Sequence, residues 1–395
     1  MGVFEWTFVI YCLGGCLLWL LLLGSFSWIS TKVSTFESFT PADKLDWPLL
    51  SIVVAACNEE KTIEPALKTI LREDYPDLEI IYVNDRSTDK TGEIIEQFAL
   101  TDHRLKPFHI SELPDGWLGK VYALHRGCQL AKGQFVLFTD ADIHFKRGTL
   151  RKAVAHAVAE NLDHFTILPR PISPSFLFEV ALTSFGGLFM LLTRVHQVEA
   201  VGSNAFTGCG AFNLVRKSIF DKTPGFSWLK MEVGDDVALG MMMKQVGSKS
   251  SFATTEEAIS VSWYHSFAGM VRGLEKNSFG IISQYNLWLL ILQVIFIWAF
   301  ISAPILALSA TSFPFLWLAG ALVGALLLIL ALAAKIIRGA AFMPIFLMPL
   351  GFFLLSLILL RAGILCVWRG GIVWRGTLYT ISELKKGQKL KLPLV

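Results

Sequence analysis

The chain has 395 residues with a formal net charge of +3, and hydrophobic residues make up 53% of it. Its mean hydropathy of +0.54 is too apolar for an ordinary soluble enzyme. Residues 50–265 show no basic stripe of the kind that binds nucleic acid, so we expect no nucleic-acid partner. The six cysteines are scattered without CxxC pairs or zinc spacing, which favours a reducing, cytoplasmic environment without disulfides.

Four nearly uncharged runs predict membrane-spanning helices, at 4–24, 284–310, 312–334 and 341–360. A run of about 20 apolar residues is long enough to cross the hydrocarbon core as a helix. The first run is preceded by no Lys or Arg and followed by no clean cleavage site. We therefore interpret residues 1–30 as a retained anchor rather than a signal peptide, and residues 284–368 as transmembrane helices.

The C-terminal tail, residues 369–395, is predicted to be cytoplasmic. Beyond residue 360 the chain has seven basic residues and one acid, which is typical of a cytoplasmic flank. Three crossings after a cytoplasmic domain would instead place the tail outside. Because Pro344 and Pro349 could make segment 341–360 a hairpin or a re-entrant piece, the number of crossings stays open.

Between the first two apolar runs, a polar linker over residues 31–48 leads into strands that alternate with helices. The apolar patterns predict strands over 49–57, 78–83, 104–110 and 134–142, and helices over 63–71, 91–100 and 121–131. Such alternation indicates an α/β domain with a parallel sheet. We assign residues 49–265 to this catalytic domain.

Polar clusters follow the carboxyl ends of three predicted strands, at Asn58-Glu59, Asp85, and Asp140 with Asp142. Ligands of open α/β sheets bind at this edge. Carboxylates so close together repel one another unless a cation or a donor-rich ligand lies between them. Asp140 and Asp142 lie two residues apart, so an extended chain points both to one side, where they suit Mg²⁺. A solvated turn with an Asp helix cap is the alternative.

Two further motifs sit at predicted helix starts. Lys120 follows Gly119 without a P-loop and is either a surface lysine or a partner for a diphosphate. In the GDD at 234–236, one acid is enough to favour the helix macrodipole, so Asp236 could act as a general base. Ser87 or Thr88 is predicted to cap the helix after Asp85, which leaves Asp85 to contact a base or ribose.

Residues 172–198 are apolar with sparse charge, and Gly186-Gly187 interrupts them, so we predict a pair of interfacial helices near 172–198. A buried core helix is the alternative. We interpret 266–283 as a second interfacial segment. The small residues of 202–217 indicate close approach of the backbone to a ligand. His265 could be a third metal ligand or a packed side chain.

The order of NEE (58–60), NDRSTD (84–89), GK (119–120), TDAD (139–142) and GDD (234–236), followed by membrane helices, resembles the family 2 glycosyltransferases. It is similar to their membrane-bound, lipid-glycosylating members, such as hopanoid-associated and carotenoid-type enzymes and ceramide glucosyltransferases. The resemblance covers about residues 48–280 and VWRGGIVWRG (367–376). It implies an α/β GT-A-type domain plus transmembrane helices, and a nucleotide-diphosphate sugar, such as a UDP-sugar, used with Mg²⁺ or Mn²⁺.

Carried over residue by residue, the resemblance implies roles for five side chains. Asp85 would contact the nucleotide base, Asp140 the ribose or sugar, and Asp142 the metal. Asp236 would be the catalytic base, and Lys120 would lie near the nucleotide. The full candidate set comprises catalytic Asp236 and Asp235; nucleotide-sugar-binding Asn58, Glu59, Asp85, Lys120 and Asp140; metal-binding Asp142 and His265; and, for the acceptor or diphosphate, Gly208, Cys209, Gly210, Arg272 and Lys276.

One family motif is missing. Many membrane relatives carry Gln-x-x-Arg-Trp after the base, whereas residues 270–280 read MVRGLEKNSFG, which argues against polymerisation. Arg272 or Lys276 would supply the positive charge instead. We therefore expect an inverting, non-processive transfer from a UDP-sugar to the hydroxyl of a lipid in the bilayer. The alternatives are a polyprenyl-phosphate glycosyltransferase and a non-catalytic nucleotide-sugar-binding membrane protein. A Rossmann dehydrogenase is a third alternative, against which the absence of a GxGxxG after the first strand argues.

Overall fold

The computed structural model describes residues 2–40, 46–200 and 202–390. Pro41 of the predicted linker and Lys391 of the predicted tail lie outside this range. The helices are α1 Val3–Lys32, α2 Ile63–Leu71, α3 Thr91–Ala99, α4 Gly119–Leu130, α5 Thr149–Ala159, α6 Phe176–Leu192, α7 Lys217–Phe220, α8 Asp235–Gln245, α9 Phe267–Ser283, α10 Leu287–Ser309, α11 Pro314–Arg338, α12 Phe342–Phe346, α13 Met348–Arg369 and α14 Ile381–Gly387. The strands are β1 Ser34–Thr35, β2 Leu50–Ala56, β3 Leu78–Asp85, β4 Leu105–Ile110, β5 Phe135–Asp140, β6 His144–Phe145, β7 His164–Pro171, β8 Asn213–Arg216, β9 Ser250–Val261, β10 Gly371–Trp374 and β11 Thr377–Thr380.

The predicted mixed α/β fold is confirmed. Strands β2 to β5 and helices α2 to α4 agree with the predicted elements to within two residues at each end. Every residue of β3 is buried, and β2 is buried apart from Ala55, which is partly exposed. Continuous apolar, β-branched runs form such strands because helices cover both faces of a parallel sheet.

The strands β1 to β9 form one sheet in the order β1-β9-β7-β8-β5-β2-β3-β4, with β6 paired to β9. Strands β5, β2, β3 and β4 are parallel to one another, and β8 pairs antiparallel with β5 and β7. The chain moves from β2 outward to β3 and β4, then returns to place β5 on the other side of β2. The switch point therefore lies between β2 and β5, where open sheets of this kind bind ligands.

The chain divides into two compact units. The α/β unit comprises Val33–Ile172, Thr193–Trp263 and Val373–Val395, and the helical unit comprises Met1–Lys32, Ser173–Leu192 and Tyr264–Ile372. Two predicted boundaries differ from this division. The interfacial segment near 172–198, assigned from the sequence to the catalytic domain, falls for its larger part in the helical unit. The tail from Val373 onward belongs to the α/β unit.

The apolar helices of the helical unit pack through small residues and aromatic rings. Trp19 of α1 stacks on Phe300 of α10 with ring centroids 4.5 Å apart and donates its indole N–H to the Phe300 carbonyl at 2.8 Å. Gly15 lies so close to Ala303 that an added Cβ would clash, so the absence of a side chain at Gly15 lets α1 and α10 approach closely. Among the described helices, α1, α6 with its extension to Gln197, α10, α11 and α13 are long and apolar enough to cross a membrane.

One sequence-based expectation for these helices is corrected, and another stays open. Helix α6 runs unbroken through Gly186 and Gly187, because the glycine cost of about 1 kcal/mol each does not break an otherwise apolar helix. The predicted pair of helices is therefore one helix. Segment 341–360 is divided between the short α12 and the start of α13, which then runs unbroken to Arg369. Pro349 stands in the first turn of α13, where a proline removes no helical hydrogen bond. Whether the segment is re-entrant stays open.

Glu73 is a buried carboxylate at the start of α5. It is 2% exposed, and its Oε2 accepts hydrogen bonds from the backbone N–H groups of Gly148 at 3.1 Å and Leu150 at 3.3 Å. Its Oε1 has no hydrogen-bond partner among the described atoms. Burial outweighs the N–H donors and raises the pKa of Glu73 from 4.5 to about 7.

We expect Glu73→Gln to flatten the dependence of stability on pH. Because the pKa of Glu73 rises on folding, the folded state holds its proton over a window in which the unfolded state has lost it. That stability is present below pH 4.5 and is lost as the pH rises through about 7. Thermal unfolding at pH 5 and pH 8 should show a larger loss for the wild type than for Glu73→Gln, by up to about 3 kcal/mol. Glu64→Gln, on an exposed helix face, is the control, and equal slopes in all three proteins would contradict the assignment.

Candidate active site

The candidate site lies where β2, β3 and β5 end and α8 begins. β5 delivers Asp140, and the first turn of α8 delivers Asp235 and Asp236. A small open pocket is lined by these three carboxylates together with Lys120, Gly210 and others. The fold thus brings together residues that are more than 100 positions apart in the chain.

Lys120 is the cation of this pocket. Its Nζ lies 2.7 Å from Asp140 Oδ1 and 3.5 Å from Asp235 Oδ2, and its side chain is 24% exposed. Burial opposes the charged form, but the carboxylates of Asp140, Asp235 and Asp236 outweigh it and hold the pKa of Lys120 well above its ordinary value. Lys120 is therefore a charged pocket residue rather than a surface lysine, and its contact with a nucleotide stays a prediction.

The adjacent acids Asp235 and Asp236 have different surroundings. Asp235 is 5% exposed and faces Lys120. Asp236 is partly exposed; its Oδ2 accepts a hydrogen bond from Gly210 N at 2.9 Å, and its Oδ1 accepts one from Val237 N at 2.9 Å. These bonds fix the carboxylate in one orientation at the pocket wall, so Asp236 is the better placed of the two to meet a second substrate.

The small residues of Gly208-Cys209-Gly210 are explained by the site itself. A Cβ on Gly208 would clash with the Asp236 carbonyl, and a Cβ on Gly210 would lie 2.5 Å from Asp140 Oδ2. Cys209 between them is buried. The sequence predicted close approach to a ligand, whereas the segment approaches the two carboxylates closely. Its contact with an acceptor or diphosphate stays a prediction.

Asp142 lies in an environment with too much negative charge. Burial and the carboxylates of Asp140 and Glu59 raise the pKa of Asp142 from 3.8 to about 7. A divalent cation would relieve this repulsion, and oxygen ligands are what Mg²⁺ and Mn²⁺ prefer. Within the described ranges, no group of three His, Cys, Asp or Glu side chains could hold a metal by itself. Metal ligation by Asp142 therefore stays a prediction.

Asp85 and Asn58 are engaged by their own loops. Asp85 is buried and accepts two hydrogen bonds from the Arg86 guanidinium, at 2.8 and 3.1 Å. Asn58 Oδ1 accepts a hydrogen bond from Thr88 N at 2.8 Å, which joins the loops after β2 and β3. The predicted cap at Ser87 or Thr88 is wrong, because Asp89 instead accepts the Thr91 N–H at the start of α3. Nucleotide contacts by Asp85, Asn58 and Glu59 stay predictions.

Three polar residues of this region escaped the sequence analysis. Arg86 directly follows Asp85 in NDRSTD, and this position could have identified it as a partner of Asp85. Asn213 donates its side-chain N–H to the Asp236 carbonyl at 3.4 Å, and Arg375 forms an ion pair with Glu59. Asn213 lies in the small-residue segment 202–217 and Arg375 in VWRGGIVWRG (367–376), and those two segments were the available signals.

The remaining candidates, His265, Arg272 and Lys276, lie in the helical unit. His265 precedes α9, and Arg272 and Lys276 are part of it. The proposed metal ligation by His265 and the proposed charge compensation by Arg272 or Lys276 stay predictions.

Residues 51–223 match the family model described as Glycosyl transferase family 2, which is less than half of the chain. Similar curated proteins include the uncharacterized glycosyltransferase EpsJ of Bacillus subtilis, 34% identical over 116 residues, or 29% of this chain and 32% of the relative. Another is the GalNAc(5)-diNAcBac-PP-undecaprenol beta-1,3-glucosyltransferase of Campylobacter jejuni, 34% identical over 103 residues, or 26% of this chain and 32% of the relative. The matches thus span about a third of these relatives' length.

Among solved structures, the chain is similar to the mannosyltransferase PcManGT from Pyrobaculum calidifontis in complex with GDP-Man and Mn²⁺. The two are 18% identical, the likeness covers 92% of this chain and 97% of that one, and the TM-score is 0.54. At this identity the likeness concerns the fold alone, and it agrees with the GT-A-like α/β core.

Proposed function

We propose that this chain, whose residues 51–223 form a family 2 glycosyltransferase domain, is a membrane-anchored inverting glycosyltransferase. It takes a nucleotide-diphosphate sugar, most simply a UDP-sugar, and transfers one sugar to the hydroxyl of a lipid acceptor. The observation that carries the proposal is the convergence of Lys120, Asp140, Asp235 and Asp236 on one pocket at the switch point of the sheet. A non-catalytic binding protein would not require the oriented carboxylate of Asp236.

The donor end of the pocket is defined by charge. Lys120, held between Asp140 and Asp235, places a fixed positive charge where a diphosphate enters. Asp142, with Asp140 beside it, would hold Mg²⁺ or Mn²⁺. When bound, such an ion offsets negative charge on the departing diphosphate. The protein groups are oriented before the donor arrives, which is how preorganised sites lower barriers.

The acceptor end of the pocket is defined by Asp236. Inverting transfer requires a base that takes the proton from the acceptor hydroxyl as its oxygen attacks the anomeric carbon. Asp236 meets the geometric requirement because Gly210 and Val237 hold its carboxylate at the pocket wall while it remains partly exposed. Asp235, buried against Lys120, positions the lysine instead.

Chain connectivity supports an interfacial rather than a spanning role for α6. The strands on either side of it, β7 and β8, pair in one sheet, so the chain before and after α6 lies on the same side of any membrane. A single crossing would have to be undone by the irregular segments 198–200 and 202–212, whose backbone polar groups lipid cannot satisfy. Helix α6 therefore lies along the bilayer, where an apolar acceptor is held.

The same reasoning indicates whether the number of membrane crossings after the α/β unit is even or odd. The chain before α9 and the chain after Ile372 both belong to the α/β unit, so an even number of helices between them crosses the membrane. We assign the crossings to α10 and α11, and place α13 at the interface with α6 and α9, on which it packs. This assignment keeps the basic C-terminal residues with the catalytic domain on the cytoplasmic side and removes the conflict that the sequence raised.

The proposal is tested by product identification. The purified full-length chain is incubated with Mn²⁺, a panel of UDP- and GDP-sugars, and native lipid extract, and lipids are analysed by mass spectrometry. We expect one donor to give a lipid that gains a single sugar through a glycosidic bond, with release of the nucleoside diphosphate. A sugar phosphodiester product would replace this proposal with a polyprenyl-phosphate glycosyltransferase, and absence of any product would leave the binding-protein alternative.

A further inference from the structure

The C-terminal strap, residues 373–390, contacts three chain segments that carry the site. Arg375 forms an ion pair with Glu59 after β2 and donates a hydrogen bond to the Asn58 carbonyl at 3.5 Å. Tyr379 is buried, and its hydroxyl lies near the backbone of Gly119, next to Lys120. Glu232 Oε2, just before α8, accepts the backbone N–H groups of Lys389 and Leu390, both at 2.7 Å. The strap thus fastens the loops that hold Glu59, Lys120 and Asp235-Asp236.

Arg375 occupies the tip of the hairpin between β10 and β11. Its φ is 49°, and the next residue, Gly376, has a φ of 81°. Two positive φ values in a two-residue hairpin loop define a type I′ turn, in which Asn-Gly is the favoured pair. An arginine in the left-handed region costs roughly 1 kcal/mol or more, and such residues cluster at ligand sites. Because the backbone conformation favours Asn or Gly at this position, the presence of an arginine indicates a role for its side chain.

Arg375 also lies next to the carboxylate cluster. Its partner Glu59 is close enough to Asp142 for the charge of Glu59 to act on it. Asp142 in turn follows the strand end where the donor diphosphate is proposed to bind. The Arg375 side chain is 44% exposed, and a guanidinium has five N–H donors, of which Glu59 and Asn58 use only part. Its planar fork matches the oxygens of a phosphate better than a lysine does.

We propose that Arg375 is a donor-binding residue that the C-terminal strap delivers to the diphosphate of the nucleotide sugar. The inference rests on the proposed function, since it assumes that a nucleoside diphosphate binds at the ends of β2 and β5. Glu59 holds the Arg375 guanidinium in place before the nucleotide sugar binds. The guanidinium N–H groups that Glu59 and Asn58 do not use then contact a phosphate oxygen. Arg375 supplies the positive charge that the sequence analysis assigned to Arg272 or Lys276 in place of the missing Gln-x-x-Arg-Trp motif.

The test compares nucleotides that differ by one phosphate. The full-length chain in detergent micelles with Mn²⁺ is titrated with UDP and with UMP, and in parallel with GDP and GMP, by calorimetry. For Arg375→Ala we expect the diphosphate Kd to rise about 10- to 100-fold, the loss of one charge-assisted contact, with the monophosphate Kd changed about twofold or less. Arg375→Lys, which keeps the charge without the fork, should fall between Arg375→Ala and the wild type. Lys386→Ala, on the exposed face of the strap, is the control and should match the wild type.

The outcomes separate this inference from the proposed function. If the wild type binds the diphosphate and Arg375→Ala binds it equally well, the Arg375 assignment is wrong while the function stands. If Arg375→Ala weakens diphosphate and monophosphate alike, Arg375 has only a structural role in the strap, and the assignment is again wrong. If the wild type binds neither diphosphate, the proposed function itself fails. Should Arg375→Ala not fold, Arg375→Lys decides by the same comparison.

Discussion

Asp236→Asn is expected to reduce sugar transfer at least about 10³-fold, within the range that removal of a general base produces. The physical reason is specific to this carboxylate. Asn retains one oxygen that can accept the Gly210 N–H now bonded at 2.9 Å, although the bond from Val237 N is lost with the second oxygen. The substitution thus removes the proton acceptor while keeping one of the two contacts that orient the side chain. The rate of nucleoside diphosphate release with lipid acceptor present measures the effect, and the Kd for UDP should change little.

Asp221→Asn is the matched control for this prediction. Asp221 is an exposed acid whose carboxylate pairs with Lys217, and its amide should leave transfer unchanged. Near-wild-type transfer by Asp236→Asn would show that the acceptor needs no base. In that case the acceptor is already ionised, as a polyprenyl phosphate is, and the hydroxyl-acceptor proposal falls.

Asp142→Asn has the second large expected effect, a loss of transfer on the order of 10³-fold together with loss of Mn²⁺-stimulated UDP binding. The carboxylate is the proposed metal ligand, and an amide oxygen carries no charge to hold the ion. The same change should raise the unfolding temperature of the metal-free protein, because it removes a charge that burial, Asp140 and Glu59 all disfavour. Opposite effects on stability and activity are expected where a site is strained for function.

Asp77→Asn, at an exposed position before β3, is the control for Asp142→Asn and should change neither quantity. UDP titrations with Mn²⁺ and with EDTA provide the binding measurement, and thermal unfolding provides the stability measurement. If Asp142→Asn still binds UDP more tightly with Mn²⁺ than with EDTA, the metal ligand is another residue.

The sequence was sufficient for the central part of the sheet. Strands such as β2 and β3 are buried along their length, so their apolar runs are long, β-branched and ended by polar residues that must stand at the ligand edge. The acid pairs were visible for the same reason. A strand that closes on Asp140 and a helix that opens on Asp235-Asp236 are local patterns, and the tertiary structure moves neither of them.

The sequence was insufficient to predict elements whose conformation depends on residues far away in the chain. Helix α6 reads as two pieces because glycine is a poor helix former, yet the apolar surroundings of the helical unit keep it in one. The strap reads as a basic tail because its lysines dominate the pattern, yet its backbone is held by Glu232, more than 150 residues earlier.

Local sequence therefore determined which residues of this protein could do chemistry, the carboxylates at strand and helix ends. It also determined which runs are long and apolar enough to cross a membrane. Short-range periodicity and end signals contain that information because they depend on neighbours a few positions away. Only the tertiary structure decided which of these residues meet, since ion pairs such as Lys120 with Asp235 and Arg375 with Glu59 join positions about 100 to 300 residues apart. It also showed that Asp235 is buried whereas Asp236 is partly exposed. Two identical adjacent residues look alike in the sequence, and only the packing around them sets their exposure.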